Sequence, residues 1–570
     1  MSAPVPLAIL VLGPTALPVA RRIQQGLPGA LVWGLEGRVE GADQAYHGFG
    51  DTLRGLYRAG TGIIAVCAAG IVIRALASVL DEKGTEPPVL AVAEDGSAVV
   101  PLLGGLGGVN DLARQIARAL DVAPAITTSG ELRFGTCLLN PPAGYVLASL
   151  EQGKHFVSDL LAGQPVKVEG CAPWLSAVAL PLAAEATLTI RVSPALSRGE
   201  GELLIHPRSL AVAVEAAGPE LASQIEAALN AGGMAQAALA CLLAPRALMG
   251  SSHLFEAAQT LGADVRFARQ GTSAQALRAQ LPQAQHAQWA GMAVAVNPEP
   301  VVADTLGQRR GSLTVVGLGP GAREFMAPAV QAALATAQDV LGYETYVNMA
   351  GPFRADQVLH CTDNREELQR ARHALELAAS GRAVVVVSSG DPGVFAMASA
   401  VLEALEGSTD PAWHAVALSM LPGVSACLAT AALAGAPLGH DFCVISLSDN
   451  LKPWSVIEQR LDLAGQADLA MAFYNPISKA RPWQLTQALE VVRRHRDPRT
   501  PVVLGRDVAR PAQRLRVVTL GELTADMVDM RTMVIVGSST TRLIPRVQGA
   551  PWVYTPRWYP AAPGSEAVLS

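Results

Sequence analysis

The chain has 570 residues, half of them hydrophobic and 16% charged, with a formal net charge of −6. At about 100–200 residues per domain, that length holds roughly three to five domains. The acidic balance lacks the basic excess that marks DNA or RNA binding. Seven scattered cysteines with no C-x-x-C spacing argue against a disulfide framework and a cysteine zinc site, so no metal is expected and a reducing cytoplasm fits.

The first predicted element, LAILVLG, reads as a buried strand; no positive residue precedes it, so it lacks the n-region of a signal peptide. A helix-like GPTALPVARRIQQGL follows, then strand and helix in GIIAVCAAGIVIRALASVL (62–80). VLAVAEDGSAVVPLL (89–103) reads as two strands joined at Asp95-Gly96, and the glycine run 104–108 leads into the helix DLARQIARAL. A middle section, 121–200, carries short strands (GYVLASL, ATLTIRVS). A third block runs from LLIHPRSLAVAVEAAG through a helix at 219–231 to WAGMAVAVN (289–297). The expected domains are 1–120, 121–202 and 203–300.

Pro298, Pro300, Gly307 and the pair Arg309-Arg310 make 297–312 the clearest boundary. Beyond it, β/α alternation returns. Strands are expected at 313–316, 339–341, 383–387, 415–419, 442–446, 468–473, 501–504 and 533–536. Helices are expected at 328–337, 365–379, 394–406, 425–433, 454–462 and 482–495. The uncharged stretch 415–439 is long enough to span a bilayer, but Pro422, Gly423, Gly435 and Pro437 break it into strand, loop and helix, so no membrane segment is expected. The tail after 548 reads as irregular. The fold class is multidomain α/β.

VVGLGPGARE (315–324) contains G-x-G-x-x-A, which fits a dinucleotide fingerprint. Two residues speak against that use. Pro328 starts the helix six residues past Ala322, and Pro320 removes a backbone donor from the cradle. An NAD site stays open as the weaker alternative. SSGDPG (388–393) leaves a second strand, with Asp391 as an expected N-cap and Pro392 as first helical residue. PGVSA (422–426) leaves a third. Three glycine-rich loops after three strands point to one crevice at the strands' C-terminal ends.

GLGPG, SSGDPG and PGVSA in this order resemble the tetrapyrrole methylases. GYETYV (342–347), SSGDPGVFAMA (388–398), PLGHDFCVISLSD (437–449), FYNPISKAR (473–481) and MVIVGSSTTR (533–542) resemble the branch that methylates C17 of precorrin-3B in cobalamin biosynthesis. The resemblance covers essentially 312–545, within an expected domain of 312–548. It implies two α/β subdomains, 312–422 and 423–548, with S-adenosylmethionine folded between them and precorrin-4 formed by methylation with ring contraction. It puts cofactor contacts on Pro320, Gly390, Asp391, Val394, Ser425, Ala426, Tyr474 and Gly537. It gives Gly317, Gly319 and Gly321 to close approach of the macrocycle. Ring contraction moves protons, and His440, Asp441, Asp449 and Tyr343 are the candidate acids or bases. The substrate's carboxylates call for cations, and Arg323, Lys452, Lys479, Arg481, Arg506 and Arg510 stand in or near these loops. Arg370 and Arg372 are expected on a solvated helix face. The resemblance also implies a homodimer.

Residues 1–300 resemble, more loosely, the cobalt-precorrin-5A hydrolases of the same pathway. Leu106 and Gly107 stand where that family carries histidine. The expectation is a hydrolase-like region fused to a pathway neighbour. It is either an active lactone hydrolase or a corrinoid-binding module, and the missing histidine leans toward the oxygen-dependent route with a metal-free substrate.

Overall fold

The computed structural model describes residues 6–27, 29–80, 86–199, 201–363, 366–478 and 481–558. It divides into two compact units, Met1–Gln308 and Arg309–Ser570, a division that falls inside the expected 297–312 boundary.

The first unit holds three sheets. Leu7–Val11 lies central in a six-stranded sheet, between Leu31–Leu35 and Gly62–Val66 and parallel to both. Val89–Val92 and Val99–Leu103 pair antiparallel across the turn at Asp95-Gly96. The strand Gly62–Val66 is buried at every residue, as an apolar run covered by helices on both faces must be. The second sheet is four-stranded. It takes the strand Glu202–Pro207 between Tyr145–Leu147 and Leu188–Val192, so this strand completes the middle domain rather than opening the third at 203. The third sheet has five strands centred on Leu210–Ala213. Its core includes Leu306, and Phe267 and Gln308 exchange backbone hydrogen bonds of 2.8 and 2.9 Å, which carries that domain to 308 rather than 300.

The second unit opens with a five-stranded, all-parallel sheet in the spatial order Val358–Thr362, Asp339–Tyr343, Ala383–Ser388, Ser312–Gly317, Ala417–Leu421. Its third strand in that order, AVVVVS, is a β-branched run buried on both faces. A mixed sheet follows, ordered Phe442–Ser446, Ala470–Tyr474, Thr532–Val536, Pro501–Arg506, Arg514–Thr519. Thr532–Val536 runs antiparallel to both its neighbours. Pro501–Arg506 therefore runs the same way as Ala470–Tyr474, and Tyr474 and Arg506 close their strands at the same end of the sheet.

Several expectations change. The helix expected from 394 begins at Met397, and the one expected from 425 has Ser425 as N-cap and runs Ala426–Ala434. The tail past 548 is not irregular throughout: Trp552–Tyr554 pairs with Gly435–Ala436 and Arg542–Ile544. The stretch 415–439 resolves into strand, loop and helix. Among the described residues no helix is long and apolar enough to cross a membrane.

Candidate functional site

The three glycine loops of the second unit knit together at the C-terminal ends of the parallel strands. Gly319 and Gly390 exchange backbone hydrogen bonds of 3.1 and 2.8 Å. A Cβ at Gly317 would lie 2.4 Å from the Gly390 carbonyl and 2.8 Å from the Gly423 nitrogen, and one at Gly423 would lie 2.2 Å from Gly390 O. Glycine at these positions is a packing requirement: the three backbones approach more closely than any side chain permits.

Asp391 does not cap a helix. Its Oδ1 accepts the Gly393 N–H at 2.8 Å, and its Oδ2 accepts the Gly423 N–H at 3.1 Å. One carboxylate thus shapes its own loop and ties it to the next. Val394 is half-buried on this loop. Phe395 beside it is 52% exposed and holds φ of 51°, a conformation costing a non-glycine residue about 1–3 kcal/mol.

Across from these loops stands the end of the mixed sheet. Tyr474 Oη accepts the backbone N–H of Cys427 at 3.2 Å and bonds the side chain of the buried Ser425. Burial pushes the Tyr474 phenol well above its ordinary range, so it stays protonated at neutral pH. Its ring centroid lies 5.5 Å from that of Phe395, and Lys452 Nζ lies 5.9 Å from the Phe395 centroid. Burial, and then repulsion from Arg460, lowers the Lys452 ammonium below its usual value. Arg510 donates through Nε to Pro320 O at 3.0 Å and packs where a Cβ of Gly321 would lie. Ala426 opens its helix at the same rim.

The remaining candidates separate by topology. Tyr343 closes its parallel strand at this end, its ring edge-on to Tyr346 at 5.3 Å. Asp449 also lies here, but Arg481 Nη1 and Gln484 Nε2 donate to its Oδ1 at 2.5 and 2.9 Å. Acid–base candidate and candidate substrate cation are thus bonded to each other. Arg506 is likewise engaged, by Asp529 and Asp507 at 2.8 Å each. Arg323 is exposed on the turn after Gly321. Lys479 lies outside the described residues. His440 and Asp441 precede the strand Phe442–Ser446, which places them at the far end of the mixed sheet, away from Tyr474. Gly537 is at the far end too: its strand runs antiparallel, with Val536 paired to Met471 rather than near Tyr474. Its carbonyl accepts from Arg496.

Two features had no sequence signal. Asn475 (φ 51°), Asp507 (φ 49°) and Ala509 (φ 58°) join Phe395 as left-handed residues in loops at this one end, four of the seven such non-glycine residues described. Arg370, expected on a solvated face, is buried. It donates to Thr362 Oγ1 at 2.7 Å and Asp363 O at 2.6 Å, and contacts Met397 Sδ at 3.2 Å. It thereby braces the start of the helix that follows the Asp391 loop.

A fold of a parallel and a mixed sheet, with glycine loops meeting a half-buried tyrosine between them, defines a class, and the comparisons agree with it. Residues 312–524 match the family of tetrapyrrole (corrin/porphyrin) methylases, and residues 51–131 match the cobalamin synthesis G N-terminal family. The chain is 53% identical over 253 residues to the precorrin-3B C(17)-methyltransferase of a Sinorhizobium species, covering 98% of it and 44% of this chain. It is 48% identical over 272 residues to the cobalamin biosynthesis protein CobIJ of Mycobacterium tuberculosis, spanning about half (52%) of that relative's length and 46% of this chain. A crystal structure of the methyltransferase CobJ aligns over its whole length and 43% of this chain, at 54% identity and a TM-score of 0.41. The chain belongs to the tetrapyrrole methylases: its second unit is a methyltransferase, fused to a cobalamin synthesis G-like region.

Proposed function

We propose that the second unit transfers a methyl group from S-adenosylmethionine to C17 of precorrin-3B, with ring contraction to precorrin-4. The observation that carries this reading is the knot of Gly317, Gly390 and Gly423 beside Tyr474, in a unit that matches a relative of that name over 98% of its length. Bound S-adenosylmethionine would supply an already activated methyl group, so the protein's task is alignment. The cradle is built for close backbone approach, with Pro320, Gly390, Asp391, Val394, Ser425, Ala426 and Tyr474 around it; Gly537 leaves the set. Phe395 and Tyr474 offer aromatic surface to a flat macrocycle. Lys452, Arg323 and Arg510 offer cations to its carboxylates. Of the acid–base candidates, Tyr343 and Asp449 stand at this end, and His440 and Asp441 do not.

Titrating S-adenosylhomocysteine into the full chain tests the reading. Saturable binding that is lost in Asp391→Ala supports it; NADH binding in its place would restore the dinucleotide reading of 315–324.

For the first unit, a corrinoid-binding module is favoured over a lactone hydrolase. The glycine loop at 104–108 brings no histidine, and the amide of Asn110 behind it is bonded to Glu131 Oε1 at 2.5 Å and to Thr128 Oγ1 at 3.2 Å, leaving it to hold structure. Association as a homodimer and with pathway neighbours in the cytoplasm is part of the same proposal.

A further inference from the structure

Away from the glycine loops, the parallel sheet carries two histidines whose ring nitrogens are all accounted for. His360 on the edge strand Val358–Thr362 faces His373 on the helix Glu367–Ala379, with His360 Nδ1 and His373 Nε2 3.4 Å apart. The outer nitrogen of each ring faces a carboxylate. His360 Nε2 is 2.9 Å from Oδ1 of the buried Asp339, and His373 Nδ1 is 3.7 Å from Glu376 Oε2. Arg382 bonds the other oxygen of Asp339, which holds that carboxylate in place against His360 Nε2. His360 Nε2 is thus committed to Asp339, and its Nδ1 is turned to His373. The two inner nitrogens converge with their rings at 72° and the centroids 5.1 Å apart, an arrangement in which one cation can reach both.

We propose that His360 and His373 bind a divalent transition-metal ion of the imidazole-preferring class, such as Zn2+, Co2+, Ni2+ or Cu2+, with water filling its other positions. The spacing suits it: two nitrogens at about 2.0–2.1 Å from a tetrahedral ion stand about 3.3–3.4 Å apart, whereas 3.4 Å is long for a hydrogen bond between the rings. Asp339 beside His360 Nε2 matches the arrangement in which an acid orients a ligating histidine through its other nitrogen, while Glu376 is an ion-pair neighbour of His373 at 3.7 Å. Among the described residues no three His, Cys, Asp or Glu groups converge on one point, so the ion has two protein ligands and binds reversibly. The side chains are 23% and 44% exposed, so it can enter from solvent. The site would clip the edge strand to the helix that covers it, independently of methyl transfer.

The test is titration of the chelator-treated full chain with Zn2+ by calorimetry and with Cu2+ by electron paramagnetic resonance. His373→Gln, on an exposed helix surface, and His360→Gln serve as variants, and His286→Gln is the control for the other histidines. The expected result is one ion per chain, two nitrogen couplings in the Cu2+ spectrum, and affinity at least tenfold weaker in the first two variants but unchanged in the control. Zn2+ should raise the Tm of the wild type and not that of His373→Gln. Equal uptake by wild type and both variants, or no uptake by any, overturns the proposal and leaves a shared proton between the rings.

Discussion

Asp391 Oδ2 accepts the backbone N–H of Gly423 at 3.1 Å, joining two loops that are 32 residues apart in sequence. Its other oxygen takes the Gly393 N–H, so both halves of the carboxylate are committed to loop shape. Asp391→Ala leaves two N–H groups without this partner, and hydrogen bonds to a charged acceptor contribute about 1.5–3 kcal/mol. We expect S-adenosylhomocysteine affinity to fall at least tenfold, read by calorimetry, with Asp391→Asn intermediate because one acceptor survives.

Gly423→Ala would set a methyl group 2.2 Å from Gly390 O. The obstacle is backbone, so the loops must part. Overpacking of this kind costs about 1–3 kcal/mol, and thermal unfolding of the second unit should move to lower temperature together with loss of cofactor affinity. Gly55→Ala is the contrasting substitution. Gly55 lies within the helix Phe49–Arg58, and nothing stands within 4 Å of its added Cβ. It should stabilise the first unit by about 0.5–1 kcal/mol.

The pairing of Asp449 with Arg481 at 2.5 Å separates the two acid–base candidates at the site. Arg481 and Gln484 both donate to one oxygen of Asp449, so its side chain is fixed as a link between loops. We expect Asp449→Asn to act mainly on KM for the macrocycle and Tyr343→Phe to act mainly on kcat. Steady-state kinetics on precorrin-3B reads the split; a collapse of kcat in Asp449→Asn alone would reverse the assignment.

Acid should unfold the first unit in a defined window. Burial alone would raise the Glu202 carboxyl, but hydrogen bonds from Arg191, Ser197 and the Arg198 N–H outweigh it and bring the group from 4.5 to about 2. A depressed folded pKa means stability that is full above the unfolded value and lost as pH falls from 4.5 toward about 2. Its ceiling is about 3 kcal/mol. Glu202→Gln should lower Tm at pH 7 and flatten the dependence of Tm on pH between 5 and 2, measured by calorimetry at stepped pH.

What could be read from sequence follows from burial. AVVVVS announces itself because a strand covered on both faces must be apolar throughout. Val358–Thr362, on the sheet edge with no residue fully buried, carries no such run and was not expected; nor was the edge strand Arg514–Thr519. The three loops were legible as glycine clusters, and their convergence followed from strand order. The site's far wall was not. The resemblance puts Gly537 among the cofactor contacts, but only the antiparallel pairing of Thr532–Val536 fixes which end it occupies. Arg370 read as solvated because helical periodicity marks a face, not the neighbour that covers it.

That antiparallel strand also sets an order of events during synthesis. Every strand of the parallel sheet has been synthesised once Leu421 is made, so that layer can form while the rest is still being translated. The mixed sheet waits: Thr532–Val536, its middle strand, is the last of the five to be made. Until then Ala470–Tyr474 and Pro501–Arg506 are both unpaired along their inner edges, and the sheet that holds Tyr474 against Cys427 is incomplete. The nascent chain thus carries half of the candidate site for more than a hundred residues of elongation before the other half exists, and ribosome-bound intermediates stalled with residue 536 inside and beyond the exit tunnel should differ in S-adenosylhomocysteine binding.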